Sequence, residues 1–168
     1  MAKTNDPFAA PVLEHASARE LLASYELILG ELRKREVVRT NDAPSGQYAE
    51  WIGQRVLGGV LASNSVKSHD LLTEDNRRIQ IKSRVLRNPT KFGTSERQLS
   101  PFRSFEFEEA LVILFDISYR VARAVLLPAA VVLEHSTYRS HVNGHVAIAR
   151  DSLMDLGKDI TDMFNRIG

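Results

Sequence analysis

Cysteine is absent from the sequence, which excludes disulfides and thiolate metal centres, zinc ribbons and fingers among them. An apolar run long enough to cross a bilayer is missing too, as is an arginine-flanked apolar leader, so a cytoplasmic protein with no membrane partner is expected. Charge of one sign is scarce. The formal net charge is +1, and the overall composition therefore makes no case for nucleic acid, whose non-specific binders carry a clear basic excess. What is present is the make-up of an ordinary globular chain, 43% apolar and 26% charged over 168 residues, a length suited to one hydrophobic core.

The distribution of charge says more than its sum. Arg77, Arg78, Lys82, Arg84, Arg87, Lys91, Arg97 and Arg103 crowd one segment in which Glu96 is the only acid, whereas Asp151, Asp155, Asp159 and Asp162 lie near the end. A single domain is expected, with a loose arm over residues 1–12, a core from about residue 14 to 127, and a C-terminal extension over residues 128–168. A helix is predicted from Glu14 to Glu36, where Leu21, Leu22, Tyr25, Ile28, Leu29 and Leu32 follow the helical period. A linker from Thr40 to Gly46 follows, then a second helix from Gln47 to Leu57 that stops at Gly58-Gly59.

From His69 the pattern changes to strands: His69–Thr73 and Arg77–Val85 flank the polar turn Glu74-Asp75-Asn76. Residues Arg87–Glu108, with Pro89, Gly93 and Pro101, show no clear period, and the Arg87–Arg103 part is expected to form the basic, mobile margin of a pocket. Ala110–Asp116 is a continuous apolar run suited to a central strand buried on both faces, and Tyr119–Leu127 is a further strand. A short helix over Ala129–Glu134, a hairpin around Asn143-Gly144 and a last helix from Asp151 complete an α/β domain around a mixed sheet.

Strand residues two apart share a face, so Gln80 and Lys82 project together while Ile79 and Ile81 face the other way. With a three-residue loop, Asn76 in the left-handed conformation, Asp70 lies opposite Gln80. A two-residue Asp75-Asn76 turn would instead pair it with Ile81 and scatter the cluster. The Asp70 carboxylate, the Gln80 amide oxygen and the Ile81 main-chain carbonyl are hard oxygen donors of the kind magnesium prefers. Lys82 beside them can orient or help deprotonate a water and offset phosphate charge, and Glu50, in the middle of the second helix, is the source of a further carboxylate.

The order of a helix with a central Glu50, then Ser68-His69-Asp70, a hairpin and Ile79-Gln80-Ile81-Lys82-Ser83-Arg84 resembles the PD-(D/E)xK nuclease superfamily. More narrowly it is similar to the QxK branch that includes Mrr-like restriction nucleases. The likeness covers Gln47 to Leu127; it departs from the common pattern in having no proline before Asp70 and a neutral Gln80 in place of the second acid. It implies a restriction-endonuclease-like core, a mixed central sheet flanked by helices, with Asp70 and Glu50 holding Mg2+ (Mn2+ as a substitute) and Lys82 as the catalytic lysine. It further implies an endonuclease hydrolysing phosphodiester bonds, of DNA rather than RNA, and allows a homodimer, since cutting both strands of a duplex takes two sites.

Arg78 and Arg84 on the strand, with Arg87, Lys91, Arg97 and Arg103 after it, are the candidates for phosphate contact. The alternative reading is a catalytically inactive module that uses the same basic surface to hold nucleic acid or a protein. Other signals count for less. His141 and His145 have the spacing of a helical metal pair but enclose the turn Asn143-Gly144, and Gly53–Gly59 lacks the Gly-Lys-Ser/Thr ending of a phosphate loop.

Overall fold

The computed structural model describes residues 13–39, 44–63, 65–66, 68–86, 96–116 and 119–166. The chain divides into two units, one ending at Pro44 and the other beginning at Ser45. The loose arm expected over residues 1–12 lies outside the described residues. In the first unit, helix α1 (Ala18–Lys34) is shorter at its start than the predicted Glu14–Glu36. Its end is a paired-hydrogen-bond cap: the Val37 amide donates to Leu32 O and the Glu36 amide to Arg33 O, which carries Glu36 to a φ of 58°. Among the described residues no helix is long and apolar enough to cross a membrane.

Helix α2 (Pro44–Leu57) belongs, from Ser45 on, to the second unit. Pro44, Ser45 and Gly46, expected in the linker, form its first turn instead. Proline suits that position because its missing N–H would have had no helical partner and its φ is already helical. Gly58 and Gly59 end the helix at φ values of 73° and 93°. A Cβ on Gly59 would stand 2.1 Å from the Leu72 carbonyl oxygen and 2.7 Å from Thr73 Cα, both main-chain atoms that cannot rotate away. Gly59→Ala is therefore expected to destabilise the fold by about 3 kcal/mol or more, as clash and positive φ act together. Thermal or denaturant unfolding reads this directly.

The chain then builds a mixed six-stranded sheet in the order β1-β2-β3-β4-β5-β8, so the protein is α/β. Its strands are β1 (Val60–Leu61), β2 (Leu71–Leu72), β3 (Arg78–Val85), β4 (Glu109–Phe115), β5 (Val121–Pro128) and β8 (Lys158–Asp159). β3 and β4 are the parallel pair, Ile79 opposite Glu109 through Val85 opposite Phe115; the other neighbours are antiparallel. Between β5 and β8 come α3 (Ala129–Glu134), the hairpin strands β6 (Ser136–Arg139) and β7 (Gly144–Ala147), and α4 (Asp151–Met154); α5 (Thr161–Asn165) ends the unit. The expected Asn143-Gly144 hairpin is thus present but wider, with a 3-10 turn at Ser140–Val142 and Asn143 at a φ of 47°.

β4 is central and its side chains alternate between two buried layers. Ala110, Val112 and Leu114 meet Leu99, Phe102, Val125, Leu127 and Met154, whereas Leu111, Ile113 and Phe115 meet Ala49, Ile52, Ile81, Ile160 and Phe164. This double burial is why its sequence is an unbroken apolar run. Two expectations need correction here. The described part of the C-terminal stretch, residues 128–166, is no mere extension: β8 joins the sheet, Ala147, Ala149, Leu153 and Met154 fill one layer, and Ile160 and Phe164 fill the other. Nor is the described part of the basic segment a loose margin, because Leu99, Phe102 and Phe107 are buried and Gln98 and Phe102 bridge to Ile148 and His145. Residues 96–108 lack a period because they pack in extended form against the core, not because they lack a core.

Candidate active site

The register around the β2–β3 turn decides the site. Leu71 pairs with Ile79 and Leu72 with Arg78, the Thr73 amide donates to Arg77 O at 3.0 Å, and Asn76 stands at a φ of 63°. This is the three-residue loop, and beyond it the Asp70 side chain comes to Gln80 and Ile81. Thr73 stabilises the loop through its hydroxyl, which donates to Asp75 at 2.6 Å and accepts the Arg77 amide at 3.0 Å.

At Asp70 the ladder changes character. The Asp70 amide donates to Ile79 O at 2.9 Å, and its carboxylate, in place of a main-chain carbonyl, accepts the Ile81 amide at 2.6 Å. The same Oδ2 accepts a short hydrogen bond from Gln80 Nε2. In this arrangement Gln80 presents its NH2 group to Asp70 and holds the carboxylate in place. The N–H and C=O of one strand residue point to the same side, and the Ile81 carbonyl accordingly faces the edge on which Asp70 stands.

A cleft of about 290 Å³ opens at this edge, lined by Ser45, Gly46, Glu50, Asp70, Gln80, Ile81, Lys82, Ser83, Arg84 and Ser100. Its walls come from both layers. Ala49 and Ile52 seat α2 on the Ile79–Ile81 face, and Gly53 allows the close approach, since a Cβ there would be 3.1 Å from both Ile81 and Leu111. The Ser83 hydroxyl donates to Ser45 O at 3.1 Å and fixes the start of the helix against β3. Glu50 thus reaches the cleft from the α2 layer. Lys82 reaches it from the opposite one, its Nζ 3.4 Å from Pro101 O and 5.2 Å from the centre of the Phe102 ring.

Burial pushes the Lys82 ammonium below its ordinary pKa, and the nearby Arg103 adds to this, while Asp70 and Glu50 oppose it. These influences place Lys82 within electrostatic reach of both carboxylates and of Arg103. Among the described residues no group of three or more His, Asp or Glu converges. A cation here would rest on the two carboxylates, with the Ile81 carbonyl and water completing an all-oxygen shell. That donor set fits magnesium, which commonly binds through one or two carboxylates and keeps several waters.

The basic residues fall into distinct groups. Arg84 lines the cleft and donates to Gln98 O, and Arg103 is exposed beside it. Arg97 is mostly buried and bound to Ala149 O at 3.0 Å and Asp151 at 2.9 Å, so it fastens the crossover to the C-terminal part of the unit. Arg78 is held by Glu108 at 2.6 Å. Arg87 and Lys91 lie outside the described residues. Hydrogen bonds from the Arg78 side chain and amide lower the Glu108 pKa to about 2. The stabilisation this exposed carboxylate provides is complete above its ordinary value of 4.5 and is lost as pH falls through about 2. Arg78→Ala should return the Glu108 titration, followed by NMR, toward the ordinary carboxylate range.

Four residues lining the cleft escaped the sequence reading: Ser45, Gly46, Ser83 and Ser100. The first two were legible in principle from Pro44 as a helix-start signal. His141 and His145 do not share a helix face: His141 lies in the 3-10 turn and His145 on β7, its Nδ1 3.2 Å from Ser136 Oγ. Phe102, Phe105 and Phe107 pack on one another at 5.6–5.9 Å between ring centres, and Trp51 stacks on Tyr48 at 5.8 Å. Compared with protein-family models and with curated proteins, the chain has no match.

Proposed function

We propose that the chain is a metal-dependent nuclease of the PD-(D/E)xK type with a restriction-endonuclease-like core, hydrolysing phosphodiester bonds in nucleic acid. The observation that carries this reading is the meeting of Asp70, Glu50, Ile81 and Lys82 in one open cleft at the edge of β3. Three kinds of group are needed to hydrolyse a phosphodiester: anionic oxygens for a cation, a base or positioner for water, and donors for the phosphate. All three border this space.

Asp70 and Glu50 would hold a magnesium or manganese ion, with the Ile81 carbonyl beside them. Such an ion supplies Lewis-acid stabilisation of charge on the phosphate oxygens. Gln80 and the Ile81 amide hold the Asp70 carboxylate in place. Lys82 Nζ, held near Pro101 O, orients the attacking water and offsets developing negative charge. The first turn of α2 at Ser45 and Gly46 carries no acidic residue and lends its positive dipole end to a phosphate, joined by Arg84 and Arg103. DNA is the preferred substrate on the likeness to Mrr-like nucleases.

The test is cleavage of supercoiled plasmid and of single-stranded DNA and RNA with magnesium, manganese or chelator. Metal-dependent cleavage abolished by chelator is expected. Salt-sensitive binding with no cleavage under any metal would replace this reading with the inactive module.

A further inference from the structure

We propose a second ligand site in this chain, a pocket for a nucleotide, on the far side of α2 from the cleft above. It does not rest on the catalytic reading. A cavity of about 350 Å³ is lined by Tyr48, Ile52, Tyr119, Arg120, Val121, Phe164 and Asn165, and its volume falls within the roughly 300–1,000 Å³ of small-molecule sites. Tyr48 borders this cavity and Glu50 the other. Residues two apart on a helix point to nearly opposite sides, which separates the two sites.

The lining selects the ligand. Tyr48, Phe115 and Tyr119 form one aromatic group, with ring centres 5.4–5.8 Å apart, and Tyr119 meets Tyr48 nearly edge-on at 73°. Tyr48 and Tyr119 are only partly buried, so they offer ring surface to the cavity. A planar base has a π-face to stack there, whatever its hydrogen-bonding edge. Asn165, with both donor and acceptor, can read that edge. Arg120 is exposed at the same cavity and supplies the cation for a phosphate. Aromatic wall, carboxamide and guanidinium together are the complement of a base joined to a phosphate. Tyr119 is moreover held at a φ of 60°, a conformation costly for a side chain of its size, and this turn delivers its ring to the group.

The chain's single tryptophan gives the readout, since Trp51 stacks on Tyr48 at 5.8 Å and 22°. Trp51 fluorescence would be titrated with adenosine 5′-monophosphate, adenosine, inorganic phosphate and a 5′-phosphorylated dinucleotide. A saturable change is expected with the monophosphate, weaker with adenosine. Tighter binding of the dinucleotide would identify a strand end as the source, and tighter binding of the monophosphate a free nucleotide. Arg120→Ala should weaken the monophosphate by about tenfold and adenosine by less than about twofold, the effect of one charge-assisted hydrogen bond. Tyr119→Ala should weaken both by at least about fivefold, with Tyr119→Phe near wild type. Metal-dependent cleavage of plasmid should be unchanged in all three variants. No saturable change with either phosphorylated ligand, a monophosphate affinity within about twofold of wild type in Arg120→Ala, or affinities for both ligands within about twofold of wild type in Tyr119→Ala, would overturn the proposal.

Discussion

Lys82→Ala should lower the rate of metal-dependent cleavage by about two to four powers of ten, the usual size of a general acid–base contribution. Affinity for nucleic acid should fall far less, because one cation among several makes a limited contribution to phosphate binding. Stability should move in the other direction. The side chain is partly buried against Pro101 and Phe102, and this burial disfavours its charged form while Asp70 and Glu50 favour it. Lys82→Met keeps the length of the side chain and removes the charge, so it should raise unfolding stability by about 1 kcal/mol, the trade expected where a site is arranged for function. Cleavage by the methionine variant should be as poor as by the alanine variant. A variant that loses stability while keeping wild-type cleavage would make Lys82 a structural residue.

The central strand and the hairpin were legible in the sequence because one interaction dominates each. In β4 both faces are buried, so every position from Ala110 to Phe115 is apolar. Around the turn, Asn76 tolerates positive φ and the Thr73–Arg77 pair closes three residues, which fixes the register of Leu71 against Ile79 and brings the Asp70 side chain to Gln80. The crossover was illegible for the opposite reason. Leu99, Phe102 and Phe107 are spaced by three and five residues and bury themselves by bridging to β7 and its flank, without any helical or strand period. β8 is two residues long, Lys158–Asp159, and exposed; its place in the sheet comes from pairing with Val125 and Leu126, a contact no local pattern encodes.

For the candidate site, the sequence pattern points to residues that line one cleft and not to their orientation. Strand alternation predicts that Gln80 and Lys82 share a face, but the hydrogen bond that turns the Gln80 amide group toward Asp70 depends on where β2 leaves the ladder. Likewise Glu50 arrives from the opposite layer, because Ala49 and Ile52 anchor α2 on the Ile81 face. A helix period identifies the anchors; only their docking shows that the residue between them overhangs the sheet edge.

That geometry separates two substitutions of Asp70 with large and different effects. Asp70 Oδ2 accepts the Ile81 amide at 2.6 Å and the Gln80 amide, so the carboxylate is part of the hairpin as well as of the cleft. Asp70→Ala leaves both donors without this acceptor. Stability should fall by about 1–3 kcal/mol, the cost of an unsatisfied partly buried polar group, and cleavage should vanish with the cation. Asp70→Asn keeps one oxygen to accept from Ile81 and loses the charge. It should unfold close to wild type, within about 1 kcal/mol, yet be as inactive as the alanine variant, because a neutral amide beside Glu50 leaves one carboxylate to hold a divalent ion. Chemical denaturation in chelator isolates the hydrogen-bonding part, and the shift on adding magnesium or manganese isolates the binding part, since a ligand specific to the folded state stabilises it in proportion to its affinity. Wild type should gain stability with metal and both variants should not. Equal metal-induced stabilisation in wild type and Asp70→Asn would remove Asp70 from the metal site while leaving its place in the hairpin intact.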